Sequence, residues 1–269
     1  MGLDWLQALI LGLVEGLTEF LPISSTGHLI LVGDWLKVSP ESADLFYVMI
    51  QGAAILAVMW EYRTRLWRTA NQIGQSNDAR RFVLGIALAF LPLACLGLIF
   101  KKQIEHYLFS PLSVGIVLLI GGVLMWVLER FYFKSHSPTT STPENISLKQ
   151  AVGIGFIQSL ALIPGTSRSA ATLLGGMWLG LSRAAAAEFS FFLAIPTLLA
   201  ATFYQGYKAF GQFSHNDWGY LLIGCVAAFI SALIAVRSFV RWISHHDLIG
   251  FAWYRIIFGL ILIGFYYHS

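Results

Sequence analysis

Five stretches of this chain lack Asp, Glu, Lys and Arg over spanning or near-spanning length: Leu45–Trp60, Phe82–Phe100, Pro111–Leu128, Phe189–Tyr207 and Trp218–Val236. A sixth, Leu248–Tyr267, holds one charge, Arg255. About 20 apolar residues cross a bilayer as a helix, and the runs are too long for barrel strands of about 9–11 residues. With every backbone group needing an internal partner in lipid, only helices and closed barrels can span it. The sequence therefore predicts an all-α integral membrane protein. Composition agrees: 12% of residues are charged and 57% hydrophobic, against roughly 25% charged in soluble domains. That excludes a soluble enzyme, a disordered tail and a nucleic-acid binder, and no nucleic acid is expected as a partner.

Two further regions are apolar but interrupted. Leu6–Leu36 contains Glu15, Glu19, Pro22 and His28, and Ala151–Leu181 contains Pro164 and Arg168. Each reads as two short helices joined by a polar, proline-broken turn. The two align, Pro22 on Pro164 and Glu15 on Gln158, and each precedes three spans. The expected plan is two repeats, 1–137 and 138–269, each a re-entrant helix pair (about 6–36 and 149–181) followed by three spans. The segment Lys134–Lys149 links them. Three crossings per half is an odd number, so the second repeat is expected to be inverted, with the broken helices meeting near the midplane.

Loop charge sets the absolute orientation. Arg63, Arg65, Arg68, Arg80, Arg81, Arg130, Lys134, Lys149, Arg183, Arg237 and Arg241 fall on one side, and Lys101, Lys102 and Lys208 on the other. The positive-inside rule makes the first side cytoplasmic. Both termini and the Phe100–Pro111 loop are then outside. The N-terminus lacks a basic region and Glu15 and Glu19 interrupt its apolar stretch, so no cleaved leader is expected. Cys95 and Cys225 sit in apolar runs and are expected as buried packing residues.

The broken segments carry the chemistry-bearing residues. Glu15 and Glu19 lie four apart, on one helix face, and each carboxylate costs about 2.5–3.5 kcal/mol at the centre of a spanning helix. A cationic partner, a metal, a wet cavity or a shared proton must offset that. After Pro22 come Ser24, Ser25, Thr26, Gly27 and His28, hydroxyls suited to N-capping the second helix, whose N-terminus is a phosphate site. The second turn, Pro164-Gly165-Thr166-Ser167-Arg168-Ser169, repeats the device and adds a guanidinium suited to bidentate phosphate contact. The other histidines, His106, His136, His215, His245, His246 and His268, sit at loops or ends. No nucleotide-binding glycine motif occurs. The set points to phosphoryl chemistry. Arg255, inside a span, is expected to face the pocket and assist the substrate. Glu188 is expected as a loop-edge carboxylate.

The run Glu15-Gly-Leu-Thr-Glu-Phe-Leu-Pro-Ile-Ser-Ser-Thr-Gly-His28, with Pro164-Gly-Thr-Ser-Arg-Ser169, resembles the two signature motifs of the undecaprenyl-diphosphatase family, the bacitracin-resistance proteins. The likeness runs along the whole chain, including Glu188-Phe-Ser-Phe-Phe-Leu-Ala-Ile-Pro196 and Tyr254-Arg255. Thr166 stands where relatives often place an aromatic or other residue. The resemblance implies hydrolysis of undecaprenyl diphosphate to the monophosphate, recycling a lipid carrier of cell-wall synthesis in the bacterial plasma (inner) membrane, through a pocket opening outward. It implies catalytic roles for Glu15, Glu19, Ser25, His28 and Arg168. Phosphate contacts are expected from Ser24, Thr26, Gly27, Gly165, Thr166, Ser167, Ser169 and Arg255. It also implies help from a divalent cation, Mg2+ or Ca2+, with Glu15 and Glu19 as ligand candidates, and no organic cofactor. Membrane lipids and a second copy in a homodimer complete the expected partners. Ser25 is the first choice of nucleophile with His28 as its proton partner and Glu19 orienting His28 or a metal; attack by His28 or by water stays open. A flippase using the same cavity is the rival reading.

Overall fold

A computed structural model describes residues 3–208 and 217–267, so His215 and His268 lie outside the described residues. The side chains of 40–44, Lys101, Lys102, Glu105, His106 and Asp217 also lie outside them. The described chain is helical, and a bridge between Thr140 and Leu181 is isolated rather than part of a strand. In order the helices are α1 (Trp5–Thr18), α2 (Ser25–Trp35), α3 (Pro40–Glu61), α4 (Arg63–Gln72), α5 (Asn77–Leu108), α6 (Pro111–Val127), α7 (Leu148–Gln158), α8 (Arg168–Trp178), α9 (Arg183–Lys208), α10 (Asp217–Ile243) and α11 (Ile249–Tyr266). Among the described residues five helices are long and apolar enough to cross a membrane. A sixth span is formed if the bent pair Leu45–Glu61 and Arg63–Gln72, angled by 72°, counts as one. This is a multi-pass membrane architecture.

The two interrupted regions are helix–turn–helix pairs. Asp4 closes a capping box on Gln7 to start α1, and Ser147 does the same with Gln150 for α7. The first break comes before the proline: α1 stops at Thr18, and Pro22 lies inside the turn. In the second pair α7 tightens into a 3-10 turn at Ser159–Leu162 before Pro164. α2 and α8 then begin at Ser25 and Arg168, behind N-cap residues Ser24 and Ser167 that both have φ of 68°. L-residues avoid that region unless their surroundings hold them there.

Helices from the two halves interleave. α1 packs on α10, α7 on α5, α3 on α9 and α6 on α11. The α1–α10 contact is close because Gly12 and Gly16 face α10. A Cβ on Gly16 would come within 2.3 Å of the Ala228 carbonyl oxygen. Small residues four apart let membrane helices approach in this way. The core runs through α3, α9 and α10, with Phe46, Phe189 and Phe191 fully buried.

Four expectations change. The Phe100–Pro111 segment is mostly helix, because α5 continues to Leu108. Glu188 is not at a loop edge: α9 begins five residues earlier, and the Glu188 carboxylate accepts from Arg65 Nη1 at 2.7 Å. The same Arg65 pairs with Glu144 on the inter-half link. Cys95 is exposed and Cys225 only half-buried. On a lipid-facing helix such as α5, apolar character does not signal an inward position, because lipid accepts it equally well.

Candidate active site

The turns of the two broken pairs meet around a cavity of about 200 Å³. Glu19, Ser24, Ser25 and Thr26 line it from the first pair, and Gly165, Ser167 and Arg168 from the second. Gln51 of α3 and Thr197 of α9 complete the polar wall, while Leu93, Leu162 and Leu198 supply an apolar one.

Glu19 is the hub. Its Oε2 accepts from the Ser25 hydroxyl at 2.5 Å and from Gln51 Nε2 at 3.4 Å. Its Oε1 faces Arg168 Nη2 at 3.4 Å, an ion pair whose side chains are 6% and 8% exposed. Removing either partner alone would leave the other charge buried, which typically costs 3–5 kcal/mol. Arg168 Nη1 donates to the Ser190 carbonyl at 3.1 Å, and its Nε has no partner. A buried guanidinium with a spare donor at a polar cavity is suited to an anion.

The two N-caps differ. The Ser167 hydroxyl accepts from the Ala170 N–H at 3.2 Å, as a capping side chain does. Ser24 makes no side-chain cap, so the first turn of α2 meets the cavity uncapped. Ser169 Oγ donates to the Leu21 carbonyl at 2.7 Å and ties the second helix pair to the first turn.

The other expected site residues are placed as follows. Glu15 is fully buried with neither carboxylate oxygen hydrogen-bonded, and it does not line the cavity. Thr166 is a turn residue whose N–H donates to the Ile163 carbonyl at 3.2 Å. Gly165 adopts φ of +93°, which the tight turn requires and an L-residue resists. Gly27 sits where a Cβ would meet Leu118 at 2.8 Å, so it serves helix packing. Neither ring nitrogen of His28 bonds to Ser25: Nδ1 lies 2.8 Å from the Ser24 carbonyl and Nε2 2.6 Å from Tyr254 Oη. The hydroxyl of Ser25 is hydrogen-bonded to Glu19 rather than to His28. Arg255 does not line the cavity: it is 1% exposed and its guanidinium holds the Pro22 and Gly165 carbonyls.

Sequence reading assigned no site role to Gln51, Tyr254, Ser190 or Thr172, the last two joined by a hydroxyl–hydroxyl contact. Gln51 and Ser190 carried the signal of a polar side chain within an otherwise apolar run. Nothing in the sequence paired Tyr254 with His28.

Residues 8–261 match the family described as bacitracin resistance protein BacA. The chain belongs to the BacA family. A relative from Nitrosomonas europaea named undecaprenyl-diphosphatase is 56% identical over 264 residues, covering 97% of this chain and 95% of the relative. One from Nitrosospira multiformis with the same name is 53% identical over 97% of this chain and 96% of its own length. One from Pseudomonas syringae pv. syringae, again so named, is 49% identical over 96% and 92%. The BacA match embraces both broken turns and α11 up to Ile261, so the whole cavity belongs to the family domain.

Proposed function

We propose that this BacA-family chain hydrolyses undecaprenyl diphosphate to undecaprenyl phosphate and inorganic phosphate. The observation that carries the reading is the Ser25 hydroxyl held 2.5 Å from Glu19 Oε2 beside Arg168, at a cavity lined by both broken turns. The relatives' shared name points the same way. Drug-sized ligand pockets run to roughly 300–1,000 Å³, so a cavity of about 200 Å³ suits the diphosphate head. The prenyl tail then lies along the apolar wall and the lipid-facing helices.

Ser25 Oγ attacks the terminal phosphorus while Glu19 takes its proton. The bond from that phosphorus to the bridging oxygen breaks, and the prenyl monophosphate leaves with the electron pair. Water next attacks the phosphoserine, the Ser25 O–P bond breaks, and Glu19 returns its proton to Oγ. The water's protons depart with inorganic phosphate. Arg168 and the uncapped first turn of α2 face the charge that builds on the phosphoryl oxygens. A carrier that only moved the lipid would need the anion-binding groups but not a hydroxyl paired to a carboxylate.

Glu15 and Glu19 fit a divalent cation in one respect: the two Glu15 oxygens, buried behind the cavity one turn from Glu19, have no hydrogen-bond partner. Among the described residues no third His, Cys, Asp or Glu joins them. That suits Mg2+, which commonly takes one or two carboxylates and substrate phosphates. When bound, such an ion supplies Lewis-acid charge to the phosphate oxygens.

We further read the halves 1–137 and 138–269 as inverted repeats and the cavity as opening to the outside of the plasma membrane. The matched φ of Ser24 and Ser167 and the exchanged packing of α1 on α10 and α7 on α5 support the first point. The loop charges support the second. Purified protein in detergent, given a C55 or C15 prenyl diphosphate, is expected to release one phosphate per lipid and leave the monophosphate. Binding without release would overturn the hydrolase.

A further inference from the structure

Tyr254 and Arg255 are consecutive residues of α11, and neither lines the cavity. Arg255 donates from Nη1 to the Pro22 carbonyl at 3.2 Å and from Nη2 to the Gly165 carbonyl at 3.3 Å. Those oxygens belong to the turns of different broken pairs, so one guanidinium joins both. Room for it comes from α6: a Cβ on Gly121 would lie 2.3 Å from Arg255 Nη2.

Tyr254 reaches the first turn through His28. A carbonyl can only accept, so the 2.8 Å contact with Ser24 puts the imidazole proton on Nδ1. In the neutral ring Nε2 is then the acceptor, and Tyr254 Oη donates to it at 2.6 Å. Phe258 stacks on the same ring at 4.2 Å and Tyr254 at 5.6 Å. The carbonyl so held belongs to Ser24, the residue with φ of 68° immediately before Ser25. Its own hydroxyl makes no cap that would hold it there.

We propose that Tyr254 and Arg255 form a two-armed positioning clamp, in which α11 grips the Pro22, Ser24 and Gly165 carbonyls and so sets Ser25 and Glu19 against Arg168. The clamp rests on the hydrolase reading for its purpose but not for its geometry. His28 belongs to it as the middle link, with both ring nitrogens engaged away from the reacting phosphate. Misplacement by about 1 Å can cost a reaction a hundredfold, so loosening either arm is expected to lower kcat without changing how the headgroup binds.

The test uses full-length protein in detergent, with Tyr254→Phe, Arg255→Lys, His28→Gln and the double variant Tyr254→Phe/His28→Gln. Each single variant is expected to lose roughly 10- to 100-fold in kcat while KM stays within about twofold. The double variant is expected to be no slower than His28→Gln alone, because both changes break one chain. Independently of activity, 15N resonances of the His28 ring are expected to show a protonated Nδ1 and a bare Nε2, with Nε2 moving in Tyr254→Phe. An unmoved Nε2 in Tyr254→Phe would overturn the clamp, as would a raised KM with unchanged kcat, which would put these side chains on the substrate. A moved Nε2 in a protein that releases no phosphate would uphold the clamp and sink the hydrolase.

Discussion

Glu19 has three partners, Ser25, Gln51 and Arg168, and none of them is near it in sequence beyond Ser25. Its chemistry is therefore sensitive to isosteric change. Glu19→Gln keeps the shape and removes the proton acceptor, so kcat is expected to fall by about 10²–10⁴. Ser25→Ala is expected to match that loss, and a steady-state phosphate-release assay reads both; full activity in Ser25→Ala would exclude the serine as nucleophile. Glu15 differs from Glu19, being buried with no hydrogen-bond partner. Chelator is expected to slow wild type and added Mg2+ to restore it, with Glu15→Gln needing roughly tenfold more Mg2+ for the same recovery if its carboxylate holds the ion. A Mg2+ titration in which the two proteins superimpose would remove Glu15 from the ion. Both glutamates stood out in the sequence as carboxylates within an apolar helix pair. Which of them would meet Ser25 did not, since spacing places both on one face and only packing separates them.

The α1 helix reaches α10 through Gly12 and Gly16, and a Cβ at Gly12 would lie 2.3 Å from the Gly224 carbonyl oxygen. Gly16→Val is expected to destabilise the protein by about 1–3 kcal/mol through overpacking, read as an earlier loss of folded protein on heating in detergent. Unchanged thermal behaviour would show that the two helices do not approach this closely. Helix positions were legible along the chain because runs without charge mark them; α9, α10 and α11 begin within six residues of the predicted spans. Their ends were less so. α5 extends through Lys101 and Lys102 to Leu108, where charge was expected to stop it. Helices are not ended by charge itself, because lysine is a good helix former and leaves the backbone hydrogen bonds intact.

Across the whole molecule, Arg65 joins Glu144 on the inter-half link to Glu188 on α9. On the positive-inside reading this cluster and the Arg63–Arg81 segment face the cytoplasm, and Ser110 faces outward. In whole cells, on a background lacking Cys95 and Cys225, Ser110→Cys is expected to react with a membrane-impermeant thiol reagent and Ser76→Cys to stay protected. The reverse pattern would turn the protein over and move its cavity away from the outer leaflet.

The sequence by itself determined the membrane class and the broken helix pairs, because transfer of charge into lipid is costly enough to leave its mark on every span. Ser25, Glu19 and Arg168 could be named from two motifs far apart in the chain. Their pairing was decided by tertiary structure, which sets the Ser25 hydroxyl on Glu19 and turns the His28 ring to Ser24 and Tyr254. Tertiary structure also converted Arg255 from an expected substrate contact into a buried tie between two turns. A motif specifies which groups are available, but a hydrogen bond forms with whichever partner packing brings within about 3 Å, and between residues such as 28 and 254 only the folded helices set that distance.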